Sequence, residues 1–427
     1  MDYQLSQRHP AAESAGLRAT PSKPHICILG GGFGGLYTAV YLQKFRATRG
    51  DRVQITLIDR NERFLFTPLL YELITNELQT WEIAPTYQQL LAKTNVQFRQ
   101  DTVQGFDLQA RRVDLGTGAF LHYDYLVVAT GSQARYVPVP GLQAHSLPFR
   151  TLIDAERLKM RLQELQQRSQ PKLQLLIIGA GPSGVELACK LADQLGDRAH
   201  VVLADLGQQI LTPFSDSLRR AASRALAQRG VEVLLETGAV QVEAQRTQLK
   251  QGDRLFWQPT DLLLWTAGTQ PHPWMGYHPI AQNAQGQYLT RPTLQLQGYP
   301  EVFVVGDVAT VQSKRGGPAP NTAQAAYQAA DRVAKNLKAA ITGKKLKPFH
   351  YSHLGDMLTL GIGSAVVDSS LGLTLTGKLA AIARRGVYTH RLPTWPHRLK
   401  VCGHLLRTGL RRLWQAMKRW RQWLKMT

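Results

Sequence analysis

The sequence has few cysteines, and the three it contains, Cys27, Cys189 and Cys402, lie far apart. They form no CxxC pair and no even-numbered set, which excludes a disulfide-stapled fold and favours a reducing environment. The histidines and cysteines show no spacing typical of a metal site, so we predict no metal. No stretch approaches the ~18 uninterrupted apolar residues of a spanning helix, which excludes a transmembrane segment. No secretory signal is visible, and the polar residues 1–23 are expected to form a disordered leader.

Acidic residues are scarce, and they are missing altogether from one end of the chain. The 427 residues include 51 Lys or Arg and 30 Asp or Glu, a net charge of +21. Thirteen of the cations, and no acid, lie between residues 377 and 427. This placement indicates an anionic partner for the C-terminal segment, either nucleic acid or a membrane surface. The length, with 44% hydrophobic and 8% aromatic residues, predicts two or three folded domains.

The first informative segment joins an apolar run of strand length to a glycine-rich turn. Gly30, Gly32 and Gly35 have the GxGxxG spacing, and an amphipathic helix follows them. In this motif the first glycine permits a tight turn, the second lets a pyrophosphate approach the backbone, and the third lets the helix pack on the strand. A second apolar run ends at Asp59, whose carboxylate is placed to accept hydrogen bonds from ribose hydroxyls. These features predict a dinucleotide site.

The same pattern recurs at Gly179, Gly181 and Gly184, and the next apolar run ends at Asp205. An acid at this position hydrogen-bonds a free 2′-hydroxyl and repels a 2′-phosphate, which favours NADH over NADPH. Arginines 219 and 220, further along the chain, could offset that preference. The two motifs are about 150 residues apart and predict two dinucleotides in one chain. A flavin with a nicotinamide is the common pair, because hydride moves directly from nicotinamide C4 to flavin N5.

Three further segments make a family resemblance specific. Residues 125–131 end in Ala-Thr-Gly, residues 262–268 end in Thr-Ala-Gly, and residues 302–307 end in Gly-Asp. With the two glycine motifs in this order, the sequence resembles the two-dinucleotide flavoprotein oxidoreductases. The resemblance implies an α/β fold of the glutathione-reductase type, with FAD in the first Rossmann unit and NAD(P)H in the second. The implied FAD residues are Gly30, Gly32, Gly35, Asp59, Thr130, Gly131, Gly306 and Asp307, and the implied NAD(P) residues are Gly179, Gly181, Gly184, Asp205 and Gly268.

The resemblance also implies a domain organisation. A discontinuous FAD-binding domain is expected at residues 24–150 and 275–350, with an NAD(P)-binding domain at 151–274 inserted into it. Residues 351–427 are expected to form a C-terminal domain that carries a basic amphipathic helix at 399–425. Within it, residues 351–367 are expected to form two short strands with a turn, and residues 371–383 part of a membrane-facing surface.

Two shorter segments narrow the resemblance to one group. No CxxC follows either glycine motif, which argues against disulfide reductases, whereas residues 66–71 resemble the F-x-P-L-L-Y segment of type II NADH:quinone oxidoreductases. Ala323, Gln324, Tyr327 and Gln328 lie in an A-Q-x-x-x-Q element similar to that group's quinone site, which implies that these residues contact the quinone. The two glutamines are one helical turn apart, so their neutral amides can reach quinone carbonyls together. The alternative is that they cap or solvate the helix.

Glu186 matches an acidic position proposed in this group to couple the nicotinamide and quinone sites. A glutamate in the first turn of a helix also simply complements the helix dipole. Segments 72–85, 148–151 and 392–397 are similar to the cyanobacterial and plastid branch, which includes demethylphylloquinone reductases. This similarity implies that the chain reduces a demethylated naphthoquinone in phylloquinone biosynthesis, and it implies NADPH as well as NADH as the reductant.

Residues 405–425 have helical periodicity, with apolar side chains on one face and Lys and Arg on the other. Six of the cations fall between residues 405 and 424, and each would cost ~2.5–3.5 kcal/mol near a bilayer centre, which excludes a spanning helix. In the interface each cation instead gains roughly 1 kcal/mol from an anionic leaflet. We therefore expect a peripheral anchor on the cytoplasmic face of a thylakoid or plasma membrane. A helix that docks a partner or a second copy, and a nucleic-acid arm, are the alternatives.

The sequence thus predicts an FAD-dependent NAD(P)H:quinone oxidoreductase that transfers hydride to a membrane naphthoquinone and pumps no protons. Three alternatives stay open at this point. They are a respiratory or plastoquinone-reducing type II dehydrogenase, a soluble reductase of a ferredoxin-like protein, and a redox-sensing regulator that binds both nucleotides and turns over little.

Overall fold

The structure is a computed structural model that describes residues 23–45, 52–167, 172–311, 317–370 and 372–423. For residues 409–413, 415–416 and 418–423 the structure describes the backbone and not the side chains. The expected leader therefore lies outside the described residues except for Lys23. The expected separation of cations from apolar residues along 405–425 also lies largely outside them.

The first parallel sheet is built around a strand that is buried on both faces. Ile26 and Ile28 of this strand pack in one core cluster, and Cys27 and Leu29 pack in another. A strand buried on both faces reads as a continuous apolar run, as this one does. The strand order is β18-β19-β7-β1-β2-β3, with only the β18–β19 pair antiparallel. The strands are β1 (His25–Leu29), β2 (Gln54–Asp59), β3 (Val96–Gln100), β7 (Tyr125–Val128), β18 (Gln295–Leu296) and β19 (Tyr299–Val304).

Helices cover one face of this sheet and a small antiparallel sheet covers the other. The helical face carries α1 (Phe33–Leu42) and α9 (Ala323–Ile341), which pack side by side. The opposite face is covered by β4 (Val103–Asp107), β5 (Arg112–Leu115) and β6 (Phe120–His122). Short helices connect β2 to β3: α2 (Tyr71–Ile74), α3 (Thr80–Ile83) and α4 (Tyr87–Leu91), preceded by a 3₁₀ turn at Thr67–Leu69.

The second parallel sheet repeats this layered plan. Its strand order is β12-β11-β10-β16-β9. The strands are β9 (Ser146–Pro148), β10 (Leu173–Ile178), β11 (Ala199–Ala204), β12 (Glu232–Leu234) and β16 (Leu262–Trp265). One face packs on α6 (Leu152–Gln166), α7 (Pro182–Leu195) and α8 (Asp216–Gln228). The other face packs on β13 (Thr237–Val242), β14 (Arg246–Gln251) and β15 (Arg254–Pro259).

The chain crosses between the two sheets twice. On the way out it forms β8 (Ser132–Ala134) and α5 (Leu142–His145), and on the way back β17 (Thr269–Pro271), which pairs with β8. The chain has joined the second sheet by Ser146 and leaves it after Trp265. The domain limits expected at residues 150 and 274 stay a prediction.

The C-terminal region begins with a three-stranded sheet and ends with two helices. Its strands are β20 (Gly355–Thr359), β21 (Ala365–Ser369) and β22 (Thr374–Thr376), and its helices are α10 (Gly377–Arg391) and α11 (Trp395–Trp423). The first two strands and their turn are present as expected, but they span residues 355–369 instead of 351–367. The helix α11 begins four residues before the expected start at 399. The long helix includes Pro396 in its first turn, where proline is accepted because no helical N–H is lost. Among the described residues, no helix combines the length and apolarity needed to cross a bilayer.

Candidate functional site

A cleft of about 580 Å³ opens at the carboxyl edge of the first sheet. Clefts of this size are typical of cofactor sites in proteins. Seven of the eight residues predicted to bind FAD line it: Gly30, Gly32, Asp59, Thr130, Gly131, Gly306 and Asp307. The eighth, Gly35, lies behind the cleft, where a Cβ atom would collide with the carbonyl oxygen of Gly30. The structure therefore brings the separated sequence motifs together at one place.

The glycine turn after β1 has the geometry that its spacing predicts. Gly30 has φ +93°, a conformation that side-chain-bearing residues rarely adopt. Gly32 has φ −68° and forms the N-cap of α1, and no atom lies within 4 Å of the place where its Cβ would be. The open side of Gly32 faces the cleft, so a pyrophosphate can approach the backbone at the positive end of the helix.

The carboxylate of Asp59 is held by the loops at the rim of the cleft. Its Oδ2 accepts a hydrogen bond from the N–H of Gly31 at 2.7 Å, and its Oδ1 accepts one from the N–H of Asn61 at 2.7 Å. Nδ2 of Asn61 also donates to Oδ1 at 3.0 Å. A carboxylate offers about four acceptor positions, so one remains for a ribose hydroxyl. The backbone contacts fix the direction of the carboxylate before a ligand arrives.

Two further observations fit a large, polar cofactor in this cleft. The hydroxyl of Thr130 is buried and has no hydrogen-bond partner among the described residues. Buried hydroxyls are rarely left unpaired, and this one lines the cleft. Asp307 also lines the cleft, next to Gly306, which has φ +83°. The cleft thus offers an open glycine turn, a ribose-directed acid and an unpaired buried hydroxyl, and these fit FAD.

Arg150 is a residue of this cleft that the sequence analysis did not assign. Its Nη2 donates a hydrogen bond to Oδ2 of Asp307 at 2.8 Å, and its Nε donates one to the carbonyl oxygen of Ser132 at 3.0 Å. Burial lowers the pKa of nearby His272, and the charges of Arg60 and Arg150 lower it further. The only signal in the sequence was the segment 148–151, which we used to recognise the branch and not the site.

The second glycine turn repeats the geometry of the first. Gly179 has φ +109°, and Gly181, with φ −72°, has open space where its Cβ would be. A Cβ on Gly184 would collide with the carbonyl oxygen of Gly179. Asp205 accepts hydrogen bonds from the N–H of Ala180 at 2.6 Å and of Gly207 at 2.7 Å. Gly268, with φ +90° and an equally open Cβ position, follows β16, the strand beside β10.

The predicted quinone residues lie along one helix, α9, but face different surroundings. Ala323 lines the cleft. Tyr327 packs with its ring 6.2 Å from the ring of Tyr37 and 5.3 Å from the guanidinium of Arg391. This helix therefore connects the cleft with α10 of the C-terminal region.

The amides of Gln324 and Gln328 are engaged with the segment before β20. Oε1 of Gln324 accepts hydrogen bonds from Tyr351 at 2.7 Å and from the N–H of Leu354 at 2.9 Å. Gln328 donates to the carbonyl oxygen of Ser352 at 2.9 Å and accepts from the N–H of the same residue at 3.2 Å. The two residues share a face as predicted, and on that face they fasten the following segment. Each amide nitrogen carries a second N–H that is able to donate a hydrogen bond to a quinone carbonyl.

Glu186 belongs to a group of buried charged side chains where α2, α7 and α10 meet. We call Glu72, Glu186 and Arg384 the buried charge cluster; each is at most 5% exposed. Oε1 of Glu186 accepts a hydrogen bond from the N–H of Thr359 at 2.9 Å and lies 3.4 Å from Nη2 of Arg384. Burial raises the pKa of Glu186 to about 7, although Arg384 and the Thr359 N–H act in the opposite direction. The helix α7 begins at Pro182, so Glu186 lies in its second turn and not in the first turn as expected, and the helix dipole does not explain its position.

Arg384 and Glu72 were not predicted to be site residues. Arg384 pairs with Oε1 of Glu72 and donates a hydrogen bond to the carbonyl oxygen of Pro68 at 2.7 Å. Glu72 lies in the segment 72–85, which indicated the family branch but no site. No pattern in the sequence connects it with an arginine 312 residues away.

Comparison with known proteins agrees with this architecture. The pattern of the pyridine nucleotide-disulphide oxidoreductase family matches residues 24–330. The structure of NDH2 from Plasmodium falciparum in complex with NADH superposes with a TM-score of 0.80 at 16% identity, covering 91% of this chain and 98% of that chain. The sulfide:quinone oxidoreductase of Aquifex aeolicus superposes with a TM-score of 0.73 at 21% identity, covering 88% and 91%. The predicted α/β fold is confirmed.

Two relatives are similar over most of their length. The demethylphylloquinone reductase NdbB of Synechocystis sp. is 42% identical over 387 residues, which are 90% of this chain and 95% of the relative. The alternative NAD(P)H-ubiquinone oxidoreductase C1, chloroplastic/mitochondrial, of Arabidopsis thaliana is 36% identical over 414 residues, with 89% and 80% covered. The chain therefore belongs to the pyridine nucleotide-disulphide oxidoreductase family and, within it, to the group of the type II NAD(P)H:quinone oxidoreductases.

Proposed function

We propose that this protein oxidises NAD(P)H and reduces a quinone of the naphthoquinone class, demethylphylloquinone in particular, to the quinol. The observation that carries the proposal is a pair of glycine turns with the same open geometry in a chain 42% identical to a demethylphylloquinone reductase. FAD, when bound, accepts a hydride from a nicotinamide and passes two electrons to an acceptor. In the overall reaction NAD(P)H, a proton and the quinone give NAD(P)⁺ and the quinol.

The first cleft is the proposed FAD site. Gly32 gives the pyrophosphate access to the N-terminus of α1, and Asp59 holds the adenosine ribose. Asp307 and the hydroxyl of Thr130 are placed to contact the half of the cofactor that carries the flavin. Arg150 holds Asp307, and its charge favours an anionic ligand at this place. We propose the same division of domains as the sequence predicts, with this cleft in the first.

The second glycine turn is the proposed NAD(P)H site. Gly181 leaves the N-terminus of α7 open to the pyrophosphate, and Asp205 is directed at the ribose. The carboxylate favours a free 2′-hydroxyl, so NADH is the preferred reductant on physical grounds. Glu186, in the first turns of α7, connects this helix with the C-terminal region through Thr359. With its pKa of about 7, Glu186 can hold the proton that quinone reduction consumes at neutral pH.

The proposed quinone site lies between α9 and α10, beside the flavin cleft. Ala323 lines the cleft, and Tyr327, one turn further along α9, contacts Arg391 at the end of α10. Gln324 and Gln328 hold the segment in front of β20 in place, and their remaining N–H groups are the proposed donors to quinone carbonyls. Positioning of the acceptor is the main contribution of the protein to this reaction.

The C-terminal helices form the proposed membrane-binding surface. On α10, Leu379 and Ile382 are exposed. On α11, five of the large apolar side chains that the structure describes are exposed and, at 100° per residue, fall within an arc of about 100°. They are Trp395, Leu399, Leu406, Trp414 and Met417. Such a stripe next to basic residues fits an anionic bilayer surface, from which a lipophilic quinone would enter. The proposed location is the cytoplasmic face of a thylakoid or plasma membrane. The alternative is that the same apolar side chains form an interface with a second copy of the chain.

The experiment that tests the proposal is steady-state turnover of the purified, flavin-loaded protein. NADH and NADPH are each offered with a naphthoquinone and with a plastoquinone analogue of matched tail length. We expect one quinol per NAD(P)H oxidised and faster turnover with the naphthoquinone. Equal rates with both quinones would favour a general type II dehydrogenase. Reduction of an iron–sulfur protein but of no quinone would favour the soluble reductase, and negligible turnover with flavin bound would favour a sensor.

A further inference from the structure

On the helix α10, apolar side chains are exposed and a charged side chain is buried, which is the reverse of an ordinary surface helix. Leu379 and Ile382 point outward and are 72% and 70% exposed, whereas Arg384 points inward and is 4% exposed. Arginine is almost never fully buried unless it is paired, so its position needs a reason beyond packing. The burial of Arg384 therefore indicates a specific contact inside the protein.

The guanidinium of Arg384 joins three separate parts of the chain. Nη1 pairs with Glu72 of α2, Nη2 donates to the carbonyl oxygen of Pro68, and Nη2 also lies 3.4 Å from Glu186 of α7. A planar group with several fixed N–H donors can bind such a set simultaneously, which an ammonium group cannot do in the same way. Arg384 therefore fixes the segment that contains Pro68 and Glu72 relative to both α7 and α10.

The segment held by Arg384 is a wall of the flavin cleft. Leu65 and Thr67 line the cleft directly before Pro68. One turn after Arg384, Tyr388 places its ring 5.6 Å from the ring of Phe66, so α10 contacts the segment a second time. The position of this wall depends on the inward face of α10, whose outward face is the proposed membrane surface.

Stability alone does not account for the pair of Arg384 and Glu72. Both side chains are buried, and Nε of Arg384 and Oε2 of Glu72 have no hydrogen-bond partner among the residues that the structure describes. Replacement of a buried ion pair by apolar residues of similar volume is often neutral or stabilising, because desolvation offsets the attraction. A residue pair selected only for stability would not need these charges.

We propose that Arg384 is a positioning residue for quinone reduction, which holds the segment 65–72, whose first residues form part of the cleft wall, so that a quinone entering beside α10 meets the flavin. This inference rests on the proposed function. Arg384 acts on the half-reaction that oxidises the flavin and leaves the half-reaction with NAD(P)H unchanged. A displacement of about 1 Å in such a wall can cost roughly 100-fold in rate.

The test measures the two half-reactions separately by stopped flow in the flavin-loaded protein. In Arg384→Met, flavin reduction by NADH is expected to stay within about twofold of wild type, while reoxidation by a short-chain naphthoquinone slows by about 10-fold or more. Arg384→Lys is expected to recover part of the lost rate, because it restores the charge but not the bond to Pro68. The control is Arg385→Met, which removes the neighbouring cation of the same helix and should leave both rates unchanged.

A double variant separates positioning from stability. Glu72→Leu with Arg384→Met removes both charges, and we expect its thermal stability to return toward wild type while reoxidation by the quinone stays slow. If the double variant recovers both, the pair is only structural and the proposal fails. It also fails if Arg384→Met reoxidises as fast as Arg385→Met. If Arg384→Met does not fold, the lysine and double variants give the decision. A wild-type protein whose reduced flavin ignores every quinone would overturn the proposed function itself, which the variant comparison cannot do.

Discussion

At the scale of single residues, spacing along the chain was enough to predict the glycines but not the buried charges. Gly30 and Gly179 have the positive φ values that the motif requires, because the turn, the strand and the helix are all local. Arg384 and Glu186 are 198 residues apart, and their contact depends on how the C-terminal region docks. Local rules carry no information about such a contact, so the buried charge cluster had to be found in the structure.

The two open glycines provide a matched pair of variants. Gly32 and Gly181 have backbone angles that alanine adopts, and an added Cβ meets no atom within 4 Å. Gly32→Ala is therefore expected to fold and to bind FAD about 10-fold more weakly or worse, because the methyl group occupies the place of the pyrophosphate. Gly181→Ala is expected to keep its flavin and to raise the KM for NADH by a similar factor.

Flavin titration and NADH kinetics on the same two preparations check this prediction, and each variant is the control for the other. Gly35→Ala gives the opposite extreme, since its Cβ collides with a backbone carbonyl and the fold should suffer. If Gly181→Ala loses its flavin while Gly32→Ala retains it, the assignment of the two sites is reversed.

Glu186 gives a prediction for the pH dependence of stability. Its pKa is raised from 4.5 to about 7 in the folded protein, so between these values the folded state keeps a proton that the unfolded chain has lost. The contribution is fully present below about pH 4.5 and is lost as the pH rises toward 7 and beyond, a change of about 3 kcal/mol if the whole shift is realised. Glu186→Gln cannot titrate and should lack this change.

Thermal midpoints of wild type and Glu186→Gln, measured from pH 5 to pH 8, test this expectation. The wild-type midpoint should fall relative to that of the variant as the pH rises, with most of the difference developing between pH 5 and pH 7. Parallel curves over the whole range would mean that Glu186 titrates as an ordinary exposed carboxylate.

At the scale of elements, periodicity predicted whether each segment is a helix or a strand better than it predicted which elements the segment packs against. The strands before both glycine turns, the C-terminal hairpin and the long basic helix are all present. The expected start of α11 at residue 399 is four residues too late, and Pro396 is accepted in the first turn because no helical N–H is lost there. The face shared by Gln324 and Gln328 was predicted from their spacing, whereas their partner segment at 351–355 could not be, since it is fixed by tertiary packing.

The last part of α11 can be removed without disturbing the packing of its first part. The first three turns are anchored by His397, which is buried and 2.9 Å from the carbonyl oxygen of Glu82, and by Trp81, whose ring packs against that of His404. A chain ending at Thr408 should therefore fold and retain FAD. It loses Trp414, Met417 and six Lys or Arg residues, and each cation contributes roughly 1 kcal/mol at an anionic surface.

Co-sedimentation with vesicles tests the role of this element. Full-length protein should bind vesicles that contain anionic lipid, bind neutral vesicles less, and dissociate as salt is raised. The shortened protein should lose at least 10-fold in affinity for the anionic vesicles, while its turnover with a water-soluble quinone stays the same. Unchanged vesicle binding, together with a change from dimer to monomer, would assign the helix to self-association instead.

At the scale of the whole molecule, the turn between β20 and β21 is fastened to both nucleotide-binding units. Lys190 of α7, 1% exposed, pairs with Glu77 of the first unit, and Oε1 of Glu77 accepts a hydrogen bond from the N–H of Gly363 at 3.2 Å. Asp193, one turn further along α7, accepts from the N–H of Ile362 at 2.6 Å. The turn is thus held from both units, and the buried Lys190 joins the two units next to it.

Removal of that lysine should loosen the assembly without emptying the flavin cleft, because Lys190 is not among the residues that line it. Lys190→Met leaves Glu77 largely buried without its partner, and the loss of one member of such a pair costs about 3 kcal/mol. We expect a lower thermal midpoint and faster proteolysis near residues 361–363, with the flavin spectrum retained. Glu77→Gln in the same chain removes the stranded charge and should restore most of the midpoint. If Lys190→Met instead releases the flavin and leaves the turn protected, the three parts are held together elsewhere, and the lysine serves the first unit alone.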